Sequence, residues 1–385
     1  MQRVTLISIV FYLKGGMGHV LNYHLAVGAA VQLNGWQHRV ATTPDEKLSN
    51  LPEGWVSSLN SGVLEFGVKG LIKERKIWAL FKSICKLSGS VATALQKELA
   101  RNDGDIIVFL ESFNALQLLS VLQAMLFVKK DRLHFWLLYR HEPRHFGMGK
   151  YVYKLLTACL KRLFSKDHFR ILTDSEVLQT SLSAFFKQPV HVLPIPHTQI
   201  LSSLPIQKND DEIICWWPGS PRPEKGWDVI RRIAQLDDVK ITTAKSVRLI
   251  VSEAANIQQK KGKICVDLIK NILSADEYYK WMLTSDLILL PYDSDIYRAS
   301  TSGIFTETIV AGKIPLVSDN TWMAFELKKY NLIELIVDWN NQDMISKFFE
   351  VVQDNSIRLR IEIMQAAYIN FHSKQTFANE LYKLI

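Results

Sequence analysis

The chain has 385 residues, more than one ordinary hydrophobic core needs, so its length predicts two domains. Its residues are 48% hydrophobic and 22% charged, a composition typical of globular soluble proteins that excludes a largely disordered chain. The net charge of +8 indicates an anionic partner, and phosphate, nucleic acid and an acidic membrane surface all fit that charge.

Cysteine usage and the amino terminus limit the choice of compartment. The cysteines form no Cys-x-x-Cys pair, so neither zinc nor a disulfide framework is predicted, and a reducing cytoplasm is the expected setting. The apolar run Val4 to Leu13 has no small-residue cleavage site and is interpreted as a buried strand, not as a signal peptide. No run of roughly eighteen apolar residues occurs, so no membrane-spanning helix is predicted.

A glycine-rich turn, Lys14 to His19, follows this first strand and precedes an amphipathic helix from about Val20 to Leu33. Glycines at the carboxyl edge of a sheet let the backbone approach a ligand closely. An ordinary tight turn would contain the same glycines. The dinucleotide spacing Gly-x-Gly-x-x-Gly, with an acidic residue about twenty positions later, is absent, which argues against a dinucleotide cofactor.

Two basic segments, Gly67 to Leu99 and Lys150 to Arg170, interleave Lys and Arg with apolar and aromatic residues. This pattern is typical of a helix that lies on a membrane surface, although the solvated face of an ordinary helix has it too. The basic residues of the first segment are Lys69, Lys73, Arg75, Lys76, Lys82, Lys86 and Lys97.

Polar residues follow two further predicted strands of the first domain. The strand Asp105 to Leu110 ends at Glu111, and the strand Leu133 to Tyr139 ends at Arg140-His141-Glu142-Pro143. Open α/β sheets place their ligands at such strand ends, so His141 is a candidate site residue.

A polar linker, Ser202 to Asp211, precedes a second α/β pattern that begins at Glu212. Its first strand, Ile213 to Trp217, leads into a loop that carries Arg222 and Lys225. A helix dipole disfavours cations at the start of a helix, so these two cations fit better if an anion lies between them.

The stretch Leu287 to Leu327 predicts a strand, a polar loop, a helix and a second strand. Its loop closes on hydroxyl residues that can cap the helix, and on Gly303, which lets a ligand approach. The amide groups and dipole of the helix start form an anion site, and Glu307, one turn later, can accept hydrogen bonds from a ribose. The stretch therefore predicts a nucleotide-diphosphate site.

The same residues resemble the donor-site signature of retaining glycosyltransferases of family 4, which have the GT-B fold. The resemblance rests on Ser302-Gly303-Ile304-Phe305-Thr306-Glu307 and on Ala311-Gly312-Lys313-Ile314-Pro315-Leu316-Val317. It implies two facing Rossmann-like α/β domains with a cleft between them. The implied domains are residues 1–201 on the acceptor side and 212–365 on the donor side, joined by the linker 202–211. A terminal helix in residues 366–385 would return to the first domain.

The resemblance also implies roles for single residues. His141 would face the donor sugar, and Arg222 with Lys225 would offset the charge of the diphosphate. The family's arginine usually stands at the position of Ser220, so Arg222 would be its stand-in. The donor-binding residues would be Gly16, Leu273, Arg298, Thr301, Ser302, Gly303, Ile304 and Glu307, and the acceptor side would include Gly15, Gly18 and His19.

One position departs from the family pattern. A second glutamate usually lies eight positions before the first, and Ala299 occupies that place, with Asp295, Tyr297 and Arg298 as nearby candidates to replace it. Asp293-Ser294-Asp295 matches the Asp-x-Asp of metal-dependent GT-A transferases, but within a GT-B frame it is interpreted as a coincidental pair of loop acids. No metal and no cofactor is predicted.

The sequence thus predicts a retaining glycosyltransferase of polysaccharide or cell-surface glycan synthesis. It would move a sugar from a nucleotide-diphosphate sugar to a glycan or lipid-linked acceptor, with no nucleic-acid partner, in the cytoplasm and in part on an anionic inner membrane surface. Two alternatives remain open. One is a sugar-nucleotide epimerase of the same fold, with His141 paired to Glu111 or Glu142, and the other is a noncatalytic nucleotide-sugar binder.

Overall fold

The structure is a computed structural model that describes residues 3–13, 19–45, 50–60, 77–196, 198, 211–236, 246–341 and 343–385. The chain divides into two compact units. Met1–His197 and His372–Ile385 form the first, and Thr198–Phe371 form the second. The predicted linker lies outside the described residues except for Asp211.

The described residues of the first unit form a seven-stranded parallel sheet in the order β3-β2-β1-β4-β5-β6-β7. The order reverses between β1 and β4, and ligands bind at such a switch point in open α/β sheets. Both β1 and β5 are buried along their whole length, as expected for parallel strands covered on both faces. The strands are β1 (Val4–Val10), β2 (Gln37–Thr42), β3 (Trp55–Ser57), β4 (Asp105–Leu110), β5 (Leu133–Leu138), β6 (Phe169–Thr173) and β7 (Val190–Val192).

Helices connect these strands. Two of them begin with a side-chain cap, from Asn114 for α3 and from Ser175 for α5, so the chain leaves each preceding strand at a defined residue. The helices of this part of the chain are α1 (His19–Leu33), α2 (Ile77–Arg101), α3 (Ala115–Met125), α4 (Lys150–Arg162) and α5 (Glu176–Phe186).

The described residues of the second unit form a six-stranded parallel sheet in the order β10-β9-β8-β11-β12-β13. Its switch point lies between β8 and β11, so the loops that follow these two strands emerge side by side. The strands are β8 (Glu212–Trp216), β9 (Ser246–Ser252), β10 (Ile264–Ile269), β11 (Leu287–Leu290), β12 (Ile314–Ser318) and β13 (Ile336–Val337).

Helices connect the strands of the second unit and follow the last of them. They are α6 (Trp227–Ala234), α7 (Ala275–Thr284), α8 (Ser294–Tyr297), α9 (Gly303–Val310), α10 (Trp322–Lys329), α11 (Met344–Gln353) and α12 (Asn355–Phe371). The last helix of the chain, α13 (Lys374–Tyr382), belongs to the first unit.

Helix α13 packs into the core of the first unit. Phe377 and Leu381 are fully buried in one apolar cluster with Tyr23 and Val27 of α1. The Asn34 side chain donates a hydrogen bond to the backbone oxygen of Ala378 at 2.7 Å. The final residues of the chain therefore complete a core that its first residues begin.

The predicted fold class is confirmed, since two parallel Rossmann-like α/β sheets are present. One predicted segment is wrong in part. The basic stretch Lys150 to Arg170 does not continue as a helix, because α4 ends at Arg162 and Phe169 begins a buried strand. Within the described residues, no helix is long and apolar enough to cross a membrane.

Candidate functional site

The loop after β8 is held against the end of β11. Gly226 has φ of 78°, and a Cβ on it would lie 2.1 Å from the backbone oxygen of Pro291, so only glycine fits there. The indole nitrogen of Trp217 donates to the backbone oxygen of Lys225 at 3.1 Å. The Asp293 amide donates to the backbone oxygen of Glu224 at 3.0 Å. These contacts fix the position of Lys225.

Lys225 is a buried ammonium group, with 9% of the residue exposed. Burial lowers its pKa, and the positive charge of Arg222 adds to that effect, while Tyr297 and Glu224 oppose it. Among the described residues, no carboxylate lies within ion-pair distance of the Lys225 amino group. A buried charge without a counter-ion is costly, so this position favours an anionic ligand.

The start of α9 lies next to this cation. A Cβ on Gly219 would be 3.0 Å from Lys225 Nζ and 3.4 Å from Ile304 Cδ1, so the β8 loop and the first turn of α9 are in close proximity. The predicted cap is confirmed, since Ser302 Oγ accepts a hydrogen bond from the Phe305 amide at 3.3 Å. The amides of Gly303 and Ile304 precede that of Phe305 in the same turn. A buried cation and a helix start are both groups that favour an anionic ligand.

Arg222 differs from Lys225 in its surroundings. Its side chain is about half exposed and forms an ion pair with Glu224 at 3.1 Å. The arginine thus lies on the same loop as the buried lysine but remains in contact with solvent. Any charge it contributes to a bound diphosphate is shared with Glu224.

Glu307 lies on the first turns of α9, as the sequence predicts. Its Oε2 accepts a hydrogen bond from the Tyr278 hydroxyl at 2.6 Å. Burial raises the pKa of this carboxyl group to about 7, and the bond from Tyr278 and the charge of Lys225 limit the rise. The carboxylate is therefore close to Lys225 without forming an ion pair with it.

A pocket of about 120 Å³ lies beside Tyr278, at the carboxyl ends of β8, β9 and β10. Leu273, which the resemblance assigned to the nucleobase, lines it, as does Gly219 of the β8 loop. The ring of Tyr278 meets the ring of Trp216 edge to face, with 5.1 Å between centroids. The other lining residues include Trp217, Ser252, Ile269, Lys270 and Asn271.

In the loop between β11 and α9, the predicted residues mainly make contacts within the protein. Asp293 Oδ1 accepts a hydrogen bond from the Asp295 amide at 2.7 Å and caps the short helix α8. Ala299, which stands where the family has a glutamate, is fully buried. Of the candidate replacements, Tyr297 packs against Tyr292 at 4.5 Å between ring centroids. Arg298 is exposed and lies five residues before Gly303, the first residue of α9, and Thr301 is half-buried two residues before it.

In the first unit, the strand ends carry a buried group of charges. Arg140 Nε lies 3.1 Å from a Glu111 oxygen and 3.8 Å from an oxygen of Asp174, so residues after β4, β5 and β6 are joined. The guanidinium of Arg140 also lies over the Tyr23 ring at 4.5 Å. This network fixes the residue that precedes His141.

His141 is exposed and follows β5, with 6.1 Å between its ring centroid and that of His145. Neighbouring groups partly desolvate the ring, and this effect, together with the charges of His145 and Arg140, lowers its pKa. Its predicted epimerase partners are both bound to arginines: Glu111 pairs with Arg140, and Glu142 pairs with Arg144 at 2.7 Å.

The structure therefore groups most of the predicted donor residues in the second unit: Lys225, Leu273, Ser302, Gly303, Ile304 and Glu307. Gly15, Gly16 and Gly18 lie outside the described residues, and His19 is described only as the first residue of α1. Tyr278, Trp216 and Tyr292 were not among the predicted site residues. They occur as ordinary apolar and aromatic residues of a helix and two strand ends, and no sequence motif marks them.

Comparisons with known proteins give similarity of structure only. No family model matches the chain, and no curated protein matches it in sequence. HepE from Anabaena, solved in complex with UDP and glucose, has a TM-score of 0.60 and 12% identity over 98% of both chains. The glycosyltransferase SnogD from Streptomyces nogalater has a TM-score of 0.56 and 15% identity over 100% of both chains.

A proposed UDP-N-acetylglucosamine 2-epimerase from Listeria monocytogenes is also similar, with a TM-score of 0.59 and 13% identity over 99% of this chain and 95% of that chain. At these identities the similarity establishes the fold, and transferases and an epimerase share it. The two parallel α/β sheets and these structural neighbours show that the chain has the GT-B fold.

Proposed function

We propose that the protein is a retaining glycosyltransferase that transfers a sugar from a nucleotide-diphosphate donor to a glycan or lipid-linked acceptor. The observation that carries the proposal is Lys225, a buried ammonium with no carboxylate at ion-pair distance among the described residues, next to the start of α9. That arrangement suits an anionic ligand such as a diphosphate.

The chemistry follows from where charge develops. In transfer, the bond between the sugar's anomeric carbon and the diphosphate oxygen breaks, and the acceptor oxygen forms a new bond to that carbon. The acceptor hydroxyl releases its proton to solvent, and the nucleoside diphosphate departs with one more negative charge than it carried in the donor. Lys225 and the amides at the start of α9 stabilise that charge, and they are already in place before the reaction.

The ribose and the base of the donor also have proposed binding positions in the second unit. Glu307 accepts hydrogen bonds from ribose hydroxyls, and the pocket beside Leu273 receives the base. The roles of Arg298 and Thr301 beside the sugar phosphate rest on the resemblance to family 4, as does retention of configuration. His141 of the first unit would act on the donor sugar, and the glycines and His19 after β1 would act on the acceptor side.

One observation weighs against the epimerase. It would need an acid and base from His141 with Glu111 or Glu142, and both carboxylates are paired with arginines. Ala299 suggests a noncatalytic binder, and the buried cation fits binding of a diphosphate as well as its departure, so turnover separates the binder from the transferase. Because the Listeria protein has the same fold, an epimerase remains the main alternative to the transferase.

The test is a panel of UDP-, GDP-, ADP- and TDP-sugars incubated with the protein, with and without candidate glycan acceptors. Release of the nucleoside diphosphate, together with a glycosylated product or free sugar, supports a transferase. Conversion of one sugar nucleotide into its epimer, without release of the diphosphate, would establish the epimerase instead. Binding of a donor without release of the diphosphate and without epimerisation would establish the noncatalytic binder.

We further propose that an anionic membrane presents the acceptor. Met148, Tyr151, Val152 and Leu155, at and before the start of α4, are all exposed, with Met148 at 90%. The same helix carries Lys150, Lys154, Lys161 and Arg162. Exposed apolar residues among basic ones fit a surface of anionic lipid. On α2, Trp78 is 84% exposed and Lys82 follows it one turn later.

A further inference from the structure

The hydroxyl of Tyr278 donates to Glu307 in a hydrogen bond of 2.6 Å, and this contact joins α7 to α9. Hydrogen bonds to an ionised oxygen acceptor are short and roughly twice as strong as neutral ones. The bond therefore fixes the carboxylate of Glu307 more firmly than burial alone would.

Tyr278 is itself held in place by its neighbours. Its amide donates to the backbone oxygen of Ser274 at 2.9 Å, in the first turn of α7. That turn is closed by a capping box in which Ser274 and Glu277 each bind the other's backbone amide. The tyrosine ring packs edge to face against Trp216 at the wall of the pocket. The hydroxyl thus reaches Glu307 from a rigid support.

A carboxylate has about four lone-pair positions, and the hydrogen bond from Tyr278 occupies one of them. Tyr278 also lines the pocket, so one residue borders both the proposed base position and the proposed ribose position.

We propose that Tyr278 is a positioning residue for donor recognition, which orients the Glu307 carboxylate and keeps it ionised to accept hydrogen bonds from the ribose. This inference rests on the proposed function and adds to it a residue that the sequence signature does not contain.

The proposal can be tested through the pH dependence of nucleotide binding, because titratable and charged groups surround Glu307. Groups that face it are Tyr278 and Tyr279 from α7, Lys225 from the β8 loop and Tyr292 from the end of β11. Burial raises the pKa of Glu307 to about 7, and the bond from Tyr278 is the first effect that opposes the rise. Loss of this bond raises the pKa further, so the carboxylate would remain protonated to higher pH.

The experiment measures binding of UDP, GDP and ADP by calorimetry from about pH 5.5 to about pH 9. The full-length wild type is compared with Tyr278→Phe, with Glu307→Gln and with the double variant. Tyr279→Phe is the matched control, since the structure shows no hydrogen bond between Tyr279 and Glu307. The terminal phosphate of each nucleotide titrates near about pH 6, but it does so equally for every variant.

The wild type should lose affinity as pH falls through about 7. Tyr278→Phe should move this loss to higher pH, so that binding is several-fold weaker at neutral pH and nearly normal at about pH 9. Tyr279→Phe should keep the wild-type midpoint. In Glu307→Gln the transition assigned to Glu307 should be absent, and adding Tyr278→Phe should change little.

Several results would overturn the inference. If Tyr278→Phe binds with the wild-type pH midpoint, or weakens binding equally at every pH, the tyrosine only packs and does not position Glu307. If it weakens binding as much in the Glu307→Gln background as alone, it acts independently of Glu307. A wild type that binds neither these three nucleotides nor TDP would contradict the proposed function itself. Thermal unfolding of each variant confirms that it is folded.

Discussion

The amino nitrogen of Lys225 lies 5.5 Å from the centre of the Tyr292 ring. Both side chains are buried. The face of an aromatic ring attracts a cation, with about 2 kcal/mol or more in a desolvated site, but it does not neutralise the charge. The ring therefore makes the buried ammonium tolerable in the free protein while leaving it available to an anion.

The first prediction concerns this cation. Lys225→Ala should lower transfer roughly 10²–10³-fold, about 3–4 kcal/mol, because it removes a preorganised charge from a developing anion. Lys328→Ala, an exposed lysine on α10, is the control and should keep full activity. Initial rates at donor concentrations well below KM provide the measurement. Near-wild-type activity of Lys225→Ala would show that the diphosphate binds elsewhere.

The second prediction uses the stability of the protein without ligand. Burial raises the folded-state pKa of Glu307 to about 7, above its usual value of 4.5. The carboxyl group thus stabilises the fold below about pH 4.5, and that contribution is lost as pH rises through about 7. Relative to wild type, Glu307→Gln should gain stability as pH rises from about 5 to about 8, by at most about 3 kcal/mol. Urea unfolding at both pH values measures the difference, and a constant difference would contradict it.

A third prediction separates sugar contact from nucleotide contact. His141→Ala should lower the transfer rate but leave the affinity for the free nucleoside diphosphate unchanged, because the nucleoside diphosphate lacks the transferred sugar. Calorimetry with the nucleotide and initial-rate kinetics with the donor give the two values. Loss of nucleotide affinity in this variant would contradict the assignment of His141 to the donor sugar.

Metal independence is the fourth prediction. Lys225 and the start of α9 can offset the charge of the diphosphate, so transfer should persist when the enzyme is assayed in excess chelator. A strict requirement for magnesium or manganese would contradict it. Asp293→Asn and Asp295→Asn would then test whether these residues are the ligands, although Asp293 caps α8 in the structure.

The fifth prediction concerns the membrane. Lys150, Lys154, Lys161 and Arg162 changed together to Glu should abolish sedimentation with anionic vesicles. The same change at Lys280, Lys328, Lys374 and Lys383, which are exposed on other helices or at their ends, is the control.

Each basic residue contributes about 1 kcal/mol near an anionic surface, and salt screens this attraction. Wild-type binding should therefore fall at high salt and be weak on neutral lipid. Equal binding to neutral and anionic vesicles, or no loss in the first variant, would contradict the proposal.

Much of the fold follows from local sequence. The apolar run Leu287 to Leu290 and the hydroxyl residues before Gly303 predict a buried strand and a capped helix, because both signals lie within a few residues. The end of α4 was harder to predict. Basic and aromatic residues continue past Arg162, but pairing of Phe169 with β5 makes the later ones part of a strand. Pairing between distant strands is not visible in local composition.

The residues of the candidate site also differ in whether the local sequence indicates them. Lys225 and Glu307 lie in motifs, so the sequence indicates them, whereas Tyr278 is found only through its partner 29 positions away. The burial of Lys225 depends equally on distant residues. Pro291 and Tyr292 come from another strand end, and nothing in the loop that carries Lys225 specifies them.

The packing of α13 determines how the protein can be divided for experiment. A fragment that stops at residue 197 lacks Phe377 and Leu381, and it exposes the apolar surface of α1 that they cover. It also leaves the Ile195 amide without the His372 ring nitrogen that accepts its hydrogen bond at 3.0 Å. An isolated first unit would have to be expressed as a fusion of residues 3–196 with residues 372–385, whereas the second unit is a single continuous piece of gene.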